Sequence, residues 1–332
     1  MFSKTVLKFK TSPTMYYAMS IAASWAGVGS MMNSITLTME NGLIPSMIWG
    51  LGNSVACILF GIVACHLPTL RTLIKTKLMR YLVGFMSIFQ LWINMNGIRE
   101  IFGNTFIGTI GGTIIVYAVC IGFIFLLLRF GVMRNVLTDS ASWYGVYALI
   151  ALLTILAFAQ SGGAYNHIEL GLEWENLQVG ITKGLLLLPG PFTYPYFFEL
   201  LDYNDANGDH TRKVNIRRPF TYGGLMFGAY MLFTYALAFV SFSPTLNFLK
   251  AVLVSLIGIS TISTFILSEY IIFGRKLGLV IDGVAVLFWP LFIGLGVMGV
   301  WTLMAELRIY LIAVLLVAAL IKRAASRRGV RA

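Results

Sequence analysis

The apolar sequence of this chain arrives in runs of about 20 residues, the length that crosses the hydrocarbon core of a bilayer. The runs follow one another almost without pause from residue 15 to residue 321. The 332 residues are 58% hydrophobic and only 11% charged, and the mean hydropathy is +0.83, which is more apolar surface than a soluble domain buries. The pattern predicts an all-α polytopic membrane protein of about ten spans. They fall at 15–39, 43–66, 79–101, 105–128, 142–160, 179–200, 219–241, 247–271, 279–299 and 302–321. The first run is too long for a cleaved signal segment and is expected to be retained. No linker or low-complexity stretch interrupts the series, so 1–332 reads as a single transmembrane domain.

A net charge of +11 would suit a nucleic-acid binder, but its placement argues otherwise. With the N-terminus inside, all of the 24 Lys and Arg residues except Arg99, Lys183, Lys250 and Arg308 fall in cytoplasmic segments. That bias predicts cytoplasmic N- and C-termini and an even number of spans. The acidic loop "NHIELGLEWEN" falls outside. The basic surplus is a topology signal with a secondary attraction to anionic membrane lipid, and no nucleic-acid partner is expected.

Two spans are interrupted. Span one carries "SWAGVGSMMNS", in which Gly27, Gly29, Ser30 and Asn33 break an otherwise apolar helix. Span six carries "LLLLPGPFTYPY", with Pro189, Gly190 and Pro191 near its middle. Proline removes a donor and clashes with the preceding turn, and glycine relaxes the backbone. These interruptions open the first span of each of two halves, 15–160 and 179–321. A repeat with an odd number of spans inserts its second copy upside down, and transporters so built place the solute between two broken helices at the bilayer midplane. Broken ends present N–H groups to an anion and carbonyls to a cation. The candidate solute-binding residues are therefore Gly27, Gly29, Ser30, Asn33, Gly190, Thr193 and Tyr194, with Gln90 and Asn94 from span three. Small residues that merely let helices pack closely are the competing explanation.

In span eight, Ile257, Ser260, Thr261 and Thr264 follow i, i+3, i+4, i+7 spacing and share one face. Three hydroxyls on a face suit a hard cation, although such groups also bond back to their own helix. Glu199 and Glu269, near inner helix ends, are candidate proton relays, with solvation or pairing to loop cations the plainer expectation. The loop "DYNDANGDHTRKV" fails as a calcium loop, because Asn207 stands where the turn needs glycine. Cys57, Cys65 and Cys120 have no metal spacing, and His66, His167 and His210 are scattered, so neither an enzyme nor a resident cofactor is expected.

With about ten spans and breaks in the first and sixth, the chain resembles the LeuT-type fold of the amino acid–polyamine–organocation superfamily. "RFGVMRNVLTDSASWYG" resembles the sodium:solute symporter signature, with Thr138 and Asp139 matching and Val132 in place of its second glycine. "AASWAGVGS" ahead of "NGL" resembles that family's first core helix. "GPFTYPYFFELLDYN" and the following "RKVNIRRPFTYGGLMFGAY" are similar to amino acid/auxin permease-type transporters, as is "GVG" in span one. The resemblance implies a sodium site formed by the carbonyls of Ala23 and Ala26 with Ser260 and Thr261, and a cytoplasmic exit path past Asp139.

The expected function is cation-coupled symport of a small polar solute, an amino acid or related molecule, by alternating access. Sodium is the expected coupling ion and the proton its alternative. A non-transporting sensor or receptor on the same scaffold, or a structural membrane protein, are the competing classes. The oligomeric state is left open.

Overall fold

The structure is a computed structural model and describes residues 13–66, 76–207, 215 and 217–329. The basic N-terminal arm, the basic loop at 67–75 and much of the calcium-loop-like segment after Asn207 lie outside the described residues. What is described is helical, with no strand. Span one is α1 (Pro13–Trp25) and α2 (Val28–Asn41), and α3 (Leu43–His66) follows. Next come α4 (Lys77–Gly103), α5 (Gly108–Ser161) and α6 (Trp174–Leu185). After α6 come a 3-10 turn (Gly190–Thr193), α7 (Pro195–Asn207), α8 (Arg217–Ala238) and α9 (Pro244–Phe273). The chain closes with α10 (Arg275–Phe288), a second 3-10 segment (Trp289–Leu295) and α11 (Gly296–Gly329).

Among the described residues, five stretches are long and apolar enough to cross a membrane: Leu43–Ala64, Gly108–Phe125, Thr138–Ser161, Pro244–Phe273 and Lys276–Val314. Large apolar side chains point outward from four of them, Ile110 being 78% exposed, whereas Pro244–Phe273 is mostly enclosed, and Asn94, Asp139, Thr261 and Glu269 are buried. An apolar exterior around a polar interior is the arrangement of an integral membrane protein, in which ionisable groups face the bundle rather than lipid.

Two boundaries differ from the sequence expectation. A loop was expected between 128 and 142, yet the backbone stays helical through it, making α5 54 residues long. The stretch contains no proline and a single glycine, Gly131, so nothing in it stops a helix. A straight helix of that length would extend about 80 Å. Instead, both ends of α5 lie at the start of α9. Phe106 packs on Phe248 with ring centroids 5.1 Å apart, and Ser243 donates to Gln160 at 3.0 Å. The helix therefore folds back on itself, and its two apolar parts occupy the positions of spans four and five. The second difference is the last break, expected near residue 300 and found at Trp289–Leu295. Pro290 cannot donate to the helical ladder, and Gly296 takes a φ of 63° that favours glycine.

Gly42 turns the chain sharply between α2 and α3, with a φ of 96°. A Cβ there would stand 2.7 Å from the backbone of Gly171. Residues 162–173 cross this corner as a strap. Leu43 and Ile44 N–H groups donate to the carbonyls of Glu169 and Leu170, each at 3.0 Å. The same strap reaches the end of α8, where Asn166 donates from its backbone to Phe239 and from its side chain to Ala238. α6 packs parallel to α3: Gly180 abuts Pro45, and Gly184 abuts Gly52. Since α2 reverses into α3, α2 and α6 run in opposite directions.

Candidate functional site

The break in span one falls on Ala26 and Gly27. Gly27 N–H turns to the Trp25 carbonyl at 3.0 Å, away from the carbonyl of Ala23 four residues back. Ser30 N–H goes to Gly27 at 2.9 Å, away from Ala26. The carbonyls left without a main-chain donor are thus those of Ala23, Ser24 and Ala26. The Ser24 carbonyl accepts instead from the Tyr194 hydroxyl at 2.8 Å. At the start of α2, Val28 N–H donates to Asn94 Oδ1 at 2.8 Å, so a side chain of α4 satisfies a donor that the helix end leaves orphaned. Asn94 also accepts from Thr261 at 3.0 Å and donates to the Gln90 carbonyl at 2.7 Å.

The second break spans Leu186 to Tyr194 and lies against the first. The Trp25 and Tyr194 rings meet edge to face with centroids 6.1 Å apart, and a Cβ on Gly190 would overlap the Trp25 ring. Thr193 bonds its own turn through Gly190 at 2.8 Å. Between the breaks is a small cavity of about 50 Å³, lined by Ser24, Gly27, Gly29, Ser30, Gln90, Asn94, Thr261 and Arg308 among others. Of the candidate solute residues, Gly27, Gly29, Ser30, Gln90 and Asn94 line it. Gly190 and Tyr194 stand behind Trp25, Thr193 is turned into its own loop, and Asn33 is buried farther along α2.

The hydroxyl face of α9 meets α1 beside the cavity. Ser260 donates to Asp139 Oδ1 at 2.9 Å, and Ser20 donates to Oδ2 at 3.0 Å. With its proton so used, Ser20 accepts from Tyr196 at 2.7 Å. Thr264 reaches Ser24 at 3.4 Å and the Ser260 carbonyl at 3.1 Å. Asp139, expected along an exit path, is fully buried and bonded directly to Ser260. Oxygen atoms from Ser20, Ser24, Ser260, Thr264 and Asp139 therefore share one seam, suited by hardness to a hard cation.

Glu269 was expected solvated at a helix end and is instead 2% exposed, accepting a hydrogen bond from Ser87. Gly84 makes the room: a Cβ there would lie 3.2 Å from Glu269 Oε2. Asp282 is buried too, and neither of its carboxylate oxygens has a partner among the described residues. Ser20, Asp282 and Arg308 escaped the sequence reading as site residues. Arg308 alone carried a signal, as a cation inside an apolar span off the cytoplasmic side.

Fold and site together define a helical membrane protein with a polar cavity between two broken helices. No family model matches the chain, and no curated protein matches it. Among solved structures it is similar to a manganese transporter from Eremococcus coleocola, crystallised with an aromatic bis-isothiourea substituted compound. The identity is 14%, over 93% of this chain and 71% of that one, with a TM-score of 0.38. So slight a likeness bears on neither architecture nor substrate.

Proposed function

We propose that the chain is a secondary active transporter of LeuT-type architecture, a cation-coupled symporter of a small polar organic solute such as an amino acid. The observation that carries this reading is the juxtaposition of the two breaks across a cavity lined by backbone glycines, hydroxyls and amides. Irregular backbone at membrane depth is tolerated where it is buried in protein or lines a wet cavity. The opposed directions of α2 and α6 support an inverted repeat, whose two halves rock about the central site. Sodium would bind at the carbonyls of Ala23 and Ala26 with Ser260, Thr261 and Thr264, and Asp139 would add a carboxylate that offsets its charge.

Uptake into proteoliposomes, with imposed sodium or proton gradients, tests the reading. Sodium-driven uptake is expected, and Ser260→Ala with Thr261→Val should weaken its sodium dependence at least about tenfold, or 1.4 kcal/mol. Uptake driven by a pH gradient in choline medium would move the coupling role to a proton on a buried carboxylate. A solute that binds without being taken up would make the protein a sensor.

A further inference from the structure

Arg308 is 2% exposed and lines the cavity from α11. Among the described residues its guanidinium makes one hydrogen bond, from Nη2 to the thioether of Met304 at 3.4 Å, and Nε has no partner. A thioether sulfur is a weak acceptor. Nη1 lies against the turn of the second break, where a Cβ on Gly190 would stand 3.0 Å away. The guanidinium thus faces the cavity at the point where the two broken helices meet. No carboxylate among the described residues is paired with it. Asp139 is bonded to Ser20 and Ser260 instead.

An arginine cannot shed its charge in a protein, and a buried cation without a counter-charge is strongly unfavourable. An anion entering the cavity removes that penalty. The planar fork of guanidinium N–H groups matches the two oxygens of a carboxylate. The cavity is small, so the anion must be compact. Its remaining polar lining, Ser24, Ser30, Asn53, Gln90, Asn94 and Thr261, is neutral. It can hold hydroxyl or amino groups of the same molecule but offers no second charge.

We infer that Arg308 is a recognition residue of the central cavity and that the solute is a compact organic carboxylate whose acid group docks on the guanidinium. The inference rests on the transporter reading for the word solute, but the binding event it specifies does not require transport.

The test is isothermal titration of the purified full-length protein in detergent. The probes are alanine, lactate and succinate, their amides alaninamide, lactamide and succinamide, and inorganic phosphate. At least one carboxylate should bind, with its amide at least tenfold weaker. Arg308→Gln should abolish that binding, and Arg308→Lys should retain part of it, since charge persists while the fork is lost. Melting temperature supplies the folding control. Removing an unpaired buried charge should leave the melting temperature of the ligand-free protein unchanged or higher, whereas a packing role would lower it. The inference is overturned if acid and amide bind alike, if phosphate alone binds, if no probe binds, or if Arg308→Gln binds normally. Arg308-dependent binding without uptake in liposomes would sink the transporter reading and leave this one standing. Uptake of a neutral solute, unchanged in Arg308→Gln, would do the reverse.

Discussion

Asn94 holds the two sides of the cavity together with one oxygen. Its Oδ1 accepts from Val28 N–H on α2 and from the Thr261 hydroxyl on α9. Thr261 has a second acceptor in the Ile257 carbonyl at 2.6 Å, but no second bond is seen for Val28 N–H. Asn94→Leu should therefore orphan one buried backbone donor, at a cost of about 1–3 kcal/mol. Thermal unfolding in detergent measures the loss, and an unchanged melting temperature would mean that the α2 terminus finds another partner. Single residues were legible in the sequence to different degrees. Ser260, Thr261 and Thr264 could be placed on one face because helical spacing is a local property. That Asp139 meets Ser260 across 121 positions of sequence could not be read, since it follows from how α5 folds back beside α9. Likewise an arginine in an apolar run announces a functional site but not its partner.

Among the elements, the broken helices were the easiest to foresee, because glycine and proline act on the backbone wherever they stand. The same logic misplaced the last break: Pro290 sits inside a run so apolar that length alone divided it. The close contact at the second break yields a prediction. A methyl group at Gly190 would overlap Trp25, so Gly190→Ala should drive the broken helices apart. Overpacking of this kind costs about 1–3 kcal/mol, and uptake should fall with it. Gly122, in the first arm of α5, has nothing within 4 Å of the position a Cβ would take. Gly122→Ala should therefore be neutral or stabilise by up to about 1 kcal/mol, through helix propensity alone. Equal effects at both positions, measured as melting temperatures side by side, would contradict the packing described for the breaks.

For the whole molecule, orientation in the membrane follows from charge rather than from packing. If the basic segments lie inside, as their charge predicts, cysteine placed at Ser3 or at Ser326 should react with an impermeant thiol reagent only when the cytoplasmic side is opened. Cys57 and Cys120 are fully buried and should contribute little background. Labelling of either engineered site on intact cells would invert the topology and with it the direction assigned to every span. Membrane class and interior polarity were legible at this scale from hydropathy alone. The packing of α3 on α6 was not, since it brings together residues 135 and 132 positions apart, as Gly180 meets Pro45 and Gly184 meets Gly52.

The strap over the Gly42 corner has an evolutionary consequence. It holds α2 and α3 through main-chain atoms, while the side chains of Glu169, Leu170 and Leu172 are exposed. A clamp made of peptide groups does not record which side chains it carries. Its sequence over 167–172 is free to drift, with selection at this corner confined to Gly42 and Gly171, whose positive φ angles and close approach leave no room for another residue. Descendants of this protein could lose all visible likeness along the strap and keep the same corner.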